Sequence, residues 1–109
     1  MEEDLQARFV PQFVALARSR VSVALAAAAR RDHGATMTTV RELHTLAGEA
    51  GLLGLHEVIP LARDSEQKAK LLRVSQAEAD ADALVAALRQ LDLVIERIGA
   101  TRSSSGRDP

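Results

Sequence analysis

A histidine surrounded by glycines is the feature of this sequence that most directly suggests chemistry. His44 lies in the segment 43–55, Leu-His-Thr-Leu-Ala-Gly-Glu-Ala-Gly-Leu-Leu-Gly-Leu, which has helical periodicity yet contains Gly48, Gly51 and Gly54. A glycine inside a helix costs roughly 1 kcal/mol relative to alanine, so the segment indicates a place where small side chains are wanted. An imidazole can act as a nucleophile or take part in proton transfer. His44 is therefore the candidate functional residue.

Helical geometry places His44 on the shoulder between the core side and the solvent side of its helix. At roughly 100° per residue, the apolar face points to the core and His44 lies beside it, with Glu42 and Glu49 on the opposite shoulder. Its surface neighbours carry mostly small side chains, so a second macromolecule can reach the imidazole. An ordinary surface histidine, with glycines that serve helix packing, fits the same spacing. These neighbours are Val40, Arg41, Ala47, Gly48 and Gly51.

Length and composition indicate a single all-α domain. The 109 residues can form one hydrophobic core but not two. The apolar residues make up 47% of the chain and are nearly all aliphatic, with two Phe and no Trp or Tyr. This composition favours helices over strands.

Charge and cysteine content exclude several classes of function. The formal net charge of −1 provides no general attraction to nucleic acid or to an anionic membrane. The absence of cysteine excludes disulfides, thiolate catalysis and cysteine-based zinc sites. The N-terminus, Met-Glu-Glu-Asp, is acidic where a secretory signal would be basic, and the longest apolar run, 21–29, is far shorter than the ~20 residues of a membrane span. We therefore expect a free-standing cytoplasmic protein that binds neither nucleic acid nor membranes.

The first half of the chain is predicted to form two main helices preceded by a short one. Residues 2–9 can form a short helix that ends before Pro11, because the residue before a proline is pushed away from helical geometry. A helix of about twenty residues follows, with apolar residues at spacings of three and four. The next helix is predicted to start at Thr39, where Thr39 and Glu42 match a capping box. Gly54 ends it, as a residue that readily adopts a left-handed C-terminal conformation.

The second half is predicted to form two further helices. The third starts near residue 56 or 57, which leaves Pro60 in its first turn, where a proline is tolerated. Ser75 and Glu78 match a second capping box and open the last helix, which Gly99 closes. The apolar residues of the last helix form a seam at spacings of four and three. They are Ala77, Ala81, Leu84, Leu88, Leu91, Ile95 and Ile98.

Amphipathic helices of similar length with short connections predict an antiparallel four-helix bundle. The bundle occupies residues 1–99 and includes the short additional N-terminal helix. Residues 100–109 lack apolar periodicity and are predicted to be a disordered C-terminal tail.

The segment around His44 resembles the signature of histidine-containing phosphotransfer (HPt) domains. That family's pattern is His, any residue, Leu, often Lys, Gly, a small or polar residue, Ala, and then a glycine-containing turn into the next helix. Residues 44–55 match it in the histidine, in both following glycines and in the Leu-Gly turn. The resemblance extends over residues 5–98, because the family fold is also a four-helix bundle.

The resemblance implies a phosphocarrier of two-component signalling rather than an enzyme. His44 would accept a phosphoryl group from an aspartyl phosphate on a response-regulator receiver domain and pass it to another receiver, and a hybrid histidine kinase is a further expected partner. No Gly-rich phosphate loop followed by Lys-Ser/Thr is present in the sequence. We expect a monomer without a cofactor or metal of its own, because any Mg²⁺ would be held by the carboxylates of the receiver.

The resemblance also assigns roles to other residues. In the family, a glutamate or glutamine on the third helix often hydrogen-bonds the phosphorylatable histidine, and Glu66 is at the matching position. Glu66 is thus predicted to accept from the Nδ1–H of His44, which leaves Nε2 to attack. The family's lysine three residues after the histidine is replaced by Ala47, so another cation must offset the phosphate charge. The residues expected to contribute to binding are Arg41, Ala47, Gly48, Gly51, Arg63 and Lys70.

Two other functions fit the same sequence. One is an adaptor that is not phosphorylated but binds and inhibits a receiver or a histidine kinase, which the alanine at position 47 favours. The other is a purely structural bundle, dimeric through the Ala-rich first helix. His33 and His56 are interpreted as surface residues, and the twelve-residue spacing between His44 and His56 carries no metal-ligand signature.

Overall fold

A bundle of four long helices forms the protein. The computed structural model describes the backbone of residues 2–107 and the side chains of residues 6–101. Within this range the helices are α1 (Glu2–Ala29), α2 (Thr36–Leu52), α3 (Val58–Ser75) and α4 (Glu78–Arg107), with a short 3₁₀ turn at His33–Ala35. No helix within the described range is long and apolar enough to cross a membrane. The predicted all-α four-helix bundle is confirmed.

The core forms where the apolar stripes of the helices meet. Helix α2 packs most closely on α3, and α4 packs on both α1 and α3, while α1 and α2 make far fewer contacts with each other. Every predicted member of the α4 seam except Ala77 is buried. The periodicity of apolar residues therefore predicted the packing faces correctly, because burial of these side chains is the main favourable contribution to folding.

The predicted separate N-terminal helix is not observed, because α1 continues through Pro11. A proline inside a helix lacks one backbone hydrogen bond and costs about 3 kcal/mol. Here its neighbours offset that cost, since Val10 is fully buried and Phe13 is 7% exposed. The Gln6 side chain also donates a 2.7 Å hydrogen bond to the carbonyl of Leu53, in the turn after α2. Tertiary contacts on both sides of Pro11 thus hold the helix together.

Neither predicted capping box forms as expected. Helix α2 begins at Thr36 instead of Thr39, and the buried Thr39 hydroxyl donates to the carbonyl of Ala35 at 3.2 Å. Before α4, the Ser75 hydroxyl accepts a 3.2 Å hydrogen bond from the backbone N–H of Ala77. The Glu78 side chain, however, does not accept the reciprocal hydrogen bond from the backbone N–H of Ser75 that completes a capping box. Glu78 instead accepts two hydrogen bonds from Arg31.

Arg31 joins the end of α1 to the start of α4. Its guanidinium donates to Glu78 at 2.8 and 2.9 Å and to Asp82 at 2.6 Å, and its own backbone is left-handed with φ of 61°. These hydrogen bonds lower the pKa of the Glu78 carboxyl and raise the pKa of Arg31. At the middle of the same pair of helices, Arg18 lies 3.6 Å from both Asp92 and Glu96. The α1–α4 pair is therefore bridged by ion pairs at one end and at its middle.

Gly54 turns the chain from α2 into α3, as predicted. It has φ of 70°, a left-handed conformation that favours glycine. The N–H of Gly54 donates to the carbonyl of Gly51 at 3.2 Å, and the N–H of Leu55 donates to that of Ala50 at 2.9 Å. This pair of hydrogen bonds is a Schellman motif, which satisfies the last carbonyls of α2 and reverses the chain.

The predicted end of the last helix at Gly99 is wrong. Helix α4 continues past Gly99 to Arg107, and residues 108–109 of the predicted tail lie outside the described residues. Gly99 instead permits a close approach of α1, because a Cβ at this position would lie 2.8 Å from Cγ1 of Val14. The glycine therefore serves helix packing rather than helix termination.

Replacing Gly99 with alanine is expected to destabilise the bundle. Val14 is β-branched and stiff in a helix, so the added methyl group should cost about 1–2 kcal/mol of unfolding free energy in urea denaturation, despite the better helix propensity of alanine. Combining Gly99→Ala with Val14→Ala should restore part of that loss, as a favourable coupling of the two changes. A loss in the double variant that equals the sum of the losses in Gly99→Ala and Val14→Ala alone would contradict the close contact.

Candidate functional site

The His44 side chain projects from α2 into solvent, where a buried carboxylate from α3 holds it. Its side chain is 79% exposed, and its Nδ1 atom lies 3.2 Å from Oε2 of Glu66, whose side chain is only 9% exposed. A carboxylate only accepts hydrogen bonds, so Nδ1 must carry the hydrogen. In the neutral imidazole, Nε2 is then the nitrogen with the free lone pair. The site presents an oriented nitrogen nucleophile at the protein surface.

Small buried residues on both helices allow this contact across the α2–α3 hairpin. On α2, Ala50 is fully buried, and on α3 Ala62, Ser65 and Ala69 are fully buried. The Ser65 hydroxyl is satisfied within its own helix by the carbonyl of Leu61 at 2.9 Å. Such side chains let two helices approach closely, and the Gly54 turn sets their direction. The hairpin therefore determines the distance between His44 and Glu66.

Lys70 completes a cluster of three polar side chains. Its Nζ lies 3.4 Å from Oε2 of Glu66, the same oxygen that contacts His44. Glu66 and Lys70 are one helical turn apart on α3, a spacing that brings their side chains together. The Lys70 side chain is 51% exposed. The imidazole N–H of His44 and the ammonium of Lys70 thus offset the cost of burying the negative charge of Glu66.

Glycines leave open space on α2 beside His44. A Cβ added at Gly48 would meet nothing within 4 Å, and one at Gly51 would make only an ordinary 3.9 Å contact with Cδ1 of Ile59. Neither glycine is required by packing within the described residues. Both are exposed, so the cleared surface beside His44 that the sequence predicts is present in the structure.

The remaining candidate binding residues differ in exposure, since one is buried in the core and two are at the surface. Ala47 is 6% exposed and belongs to the hydrophobic core, so its predicted position in the binding surface needs correction. Arg41 and Arg63 are exposed and make neither hydrogen bonds nor ion pairs with the described part of the chain. Among the three cations named from the sequence, Lys70 alone is joined to the His44–Glu66 pair within that part.

The acidic residues of α2 point away from His44. Arg20 of α1 lies 3.9 Å from a carboxylate oxygen of Glu42 and 3.5 Å from one of Glu49. The opposite shoulder predicted for these two residues is therefore the side that faces α1. This arrangement keeps the negative charges of Glu42 and Glu49 away from the imidazole, so that Glu66 is the carboxylate joined to it.

An apolar groove between α1 and α2 is a feature that sequence reasoning missed. It has a volume of about 230 Å³ and includes Leu52, the most exposed of its large apolar side chains at 83%. Leu52 lies outside the regular apolar stripe of α2, and that irregularity was the available signal. The groove is lined by Phe9, Gln12, Phe13, Leu16, Glu49, Leu52 and Leu53.

The other two histidines lie away from the cluster. His33 is half-buried in the 3₁₀ turn and His56 is exposed in the turn between α2 and α3. Residues 6–101 contain no group of three or more His, Cys, Asp or Glu side chains arranged to hold a metal ion.

An exposed histidine held by a carboxylate from a neighbouring helix of an all-α bundle is the arrangement expected of a histidine phosphocarrier module. The family model of the Hpt domain matches residues 8–101, most of the chain. The protein therefore belongs to the Hpt domain family, whose members carry out histidine phosphotransfer in phosphorelay signalling and interact with receiver domains and kinases. No curated protein and no solved structure matches the chain with significance.

Replacing Gly48 with alanine is expected to stabilise the protein. The new methyl group would enter open space, and alanine gains up to about 1 kcal/mol over glycine in a helix interior. Urea denaturation should therefore show a higher midpoint with an unchanged slope. Because Gly99→Ala makes the same chemical change in a crowded position, it is the matched control, and a loss of stability in Gly48→Ala would show that the space is not open.

Proposed function

We propose that His44 is the phosphoacceptor, which takes a phosphoryl group from an aspartyl phosphate on one receiver domain and passes it to the aspartate of another. The observation that carries this proposal is the 3.2 Å contact of Nδ1 with a buried carboxylate, on a histidine whose side chain is 79% exposed. The contact leaves Nε2 free to attack, and the exposure leaves room for a phosphorylated partner.

The chemical step needs positioning more than covalent assistance. The Nε2 lone pair attacks phosphorus in line with the bond to the aspartyl oxygen, an N–P bond forms, the P–O bond breaks, and the aspartate leaves as a carboxylate. The imidazole ring becomes positively charged while its Nδ1–H stays in place. Glu66 stabilises that charge, because it is a negative group hydrogen-bonded to the same hydrogen. Transfer to the next receiver is the reverse of this step.

The surroundings of His44 support a protein partner. Gly48 and Gly51 leave exposed, low-relief surface next to the imidazole, where a second protein can approach closely. In this proposal Mg²⁺ is held by the receiver, the partners are receiver domains and a hybrid histidine kinase, and the carrier acts in the cytoplasm as a monomer.

Replacing His44 with glutamine should abolish phosphorylation without unfolding the protein. The exposed side chain contributes little packing, while glutamine offers no nucleophilic nitrogen. Receiver domains carrying radiolabelled phosphate should transfer acid-labile, alkali-stable label to the wild type and none to His44→Gln. His33→Gln and His56→Gln are the matched controls and should label like the wild type.

The same experiment separates this proposal from the alternative of an adaptor. Binding of the receivers to the unmodified protein, with no label on the wild type, would favour a non-phosphorylated inhibitor. Absence of both binding and label would leave a structural bundle.

Replacing Glu66 with alanine should slow phosphotransfer while the bundle stays folded. The imidazole would lose the acceptor that fixes its tautomer and orientation, and a loss of position of this kind costs about ten- to a hundredfold in rate. Rapid-quench measurement of label transfer, with far-UV circular dichroism to check folding, tests this expectation. Glu49→Ala removes a carboxylate from the opposite shoulder of α2 and should leave the rate unchanged, whereas equal rates for both variants would contradict the role of Glu66.

A further inference from the structure

We infer that Lys70 supplies the positive charge that neutralises the phosphoryl group on His44, and that it reaches this group from α3 in place of the lysine that the family often carries at position 47. The inference rests on the proposed function of His44. It concerns how the phosphorylated state is stabilised in a chain whose own sequence lacks the usual cation.

The shared oxygen of Glu66 places the Lys70 ammonium next to the imidazole. Nδ1 of His44 and Nζ of Lys70 lie 3.2 and 3.4 Å from the same Oε2 atom. A lysine ends in a flexible four-carbon stem with three rotatable donors, and this side chain is half exposed. The ammonium can therefore move from the carboxylate to oxygens of a phosphoryl group on Nε2 without any change in the backbone.

Phosphorylation creates a charge problem that a cation in this position solves. A phosphoryl group adds close to two negative charges near neutral pH, and it would do so beside the carboxylate of Glu66. That carboxylate is largely removed from water, so repulsion between the two groups is screened less than it would be at the open surface. The Lys70 ammonium can donate hydrogen bonds to the Glu66 carboxylate and to the phosphoryl group at once, or it can leave the carboxylate and bind the phosphoryl group alone.

The other candidate positions provide no cation that is joined to the His44–Glu66 pair within the described part of the chain. Ala47 is 6% exposed and faces the core, so position 47 contributes no positive charge to the site. Arg41 and Arg63 lack any hydrogen bond or ion pair to residues of the described part of the chain. Lys70 differs from both because Glu66 already holds it at the site before phosphorylation.

Helix α3 contains a matched control for Lys70. Lys68 lies 2.7 Å from Asp64, in an ion pair between residues four apart, which repeats the Glu66–Lys70 arrangement two residues earlier. Lys68 makes no contact with the His44–Glu66 pair. Lys68→Gln and Lys70→Gln therefore remove the same charge from the same helix, and only the second removes it from beside His44.

The test measures how label is divided at equilibrium between the protein and a receiver domain, together with the lifetime of phosphorylated His44. Lys70→Gln should shift the division toward the receiver by about three- to tenfold, because an anion close to the surface loses its cation. Lys68→Gln should match the wild type, and Lys70→Arg should retain most of the wild-type value.

A second comparison separates direct stabilisation from an effect on Glu66. In the Glu66→Gln background, Lys70→Gln should still shift the division of label if the ammonium contacts the phosphoryl group. Loss of the shift in that background would overturn the inference, since Lys70 would then act only by holding Glu66. Equal results for Lys70→Gln and Lys68→Gln, or a larger shift in Arg41→Gln or Arg63→Gln, would also overturn it. A wild type that takes no label would instead overturn the proposed function itself.

Discussion

The close packing of α2 against α3 is the constraint on which the site depends. Alanines and a serine fill the interface, and the left-handed turn at Gly54 sets the direction in which the chain returns. A larger side chain in this interface would separate the helices and draw Glu66 away from His44. The same packing shields Glu66 from water, which makes its interaction with the imidazole and the ammonium stronger than it would be at an open surface. The packing of α2 against α3 thus sets both the distance between His44 and Glu66 and the strength of their electrostatic interaction.

The rest of the molecule supports that hairpin and keeps competing charges away from it. Ion pairs of Arg18 and Arg31 tie α1 to α4 on the far side of the bundle. Arg20 pairs with the two glutamates of α2 on the side that faces α1, so that their charges are not added to that of Glu66 beside the imidazole. Glycines on the exposed face of α2 weaken this helix. The burial of apolar side chains elsewhere in the bundle offsets that loss of stability.

Most of the fold was predictable because apolar periodicity reports directly which side chains are buried. The errors came from residues whose local preference was overridden by a contact distant in sequence. Pro11 signals a break, but burial of Val10 and Phe13 holds the helix through it. Gly99 signals an end, but it accommodates Val14 of another helix. Thr39 signals a cap, but it is buried one turn inside α2. Helix starts and ends are where such contacts most easily outweigh local propensity.

By itself, the sequence determined the class of fold, the histidine and the glycine-cleared surface around it, because these follow from residue types and from spacing along one helix. Only the tertiary structure decided which groups meet across two helices. It placed Glu66 against Nδ1 of His44, joined Lys70 to the same oxygen, and turned Ala47 into the core. The physical reason is that helical periodicity gives the direction of a side chain from its own axis, whereas a contact between helices depends on their separation and register, which the packed core sets.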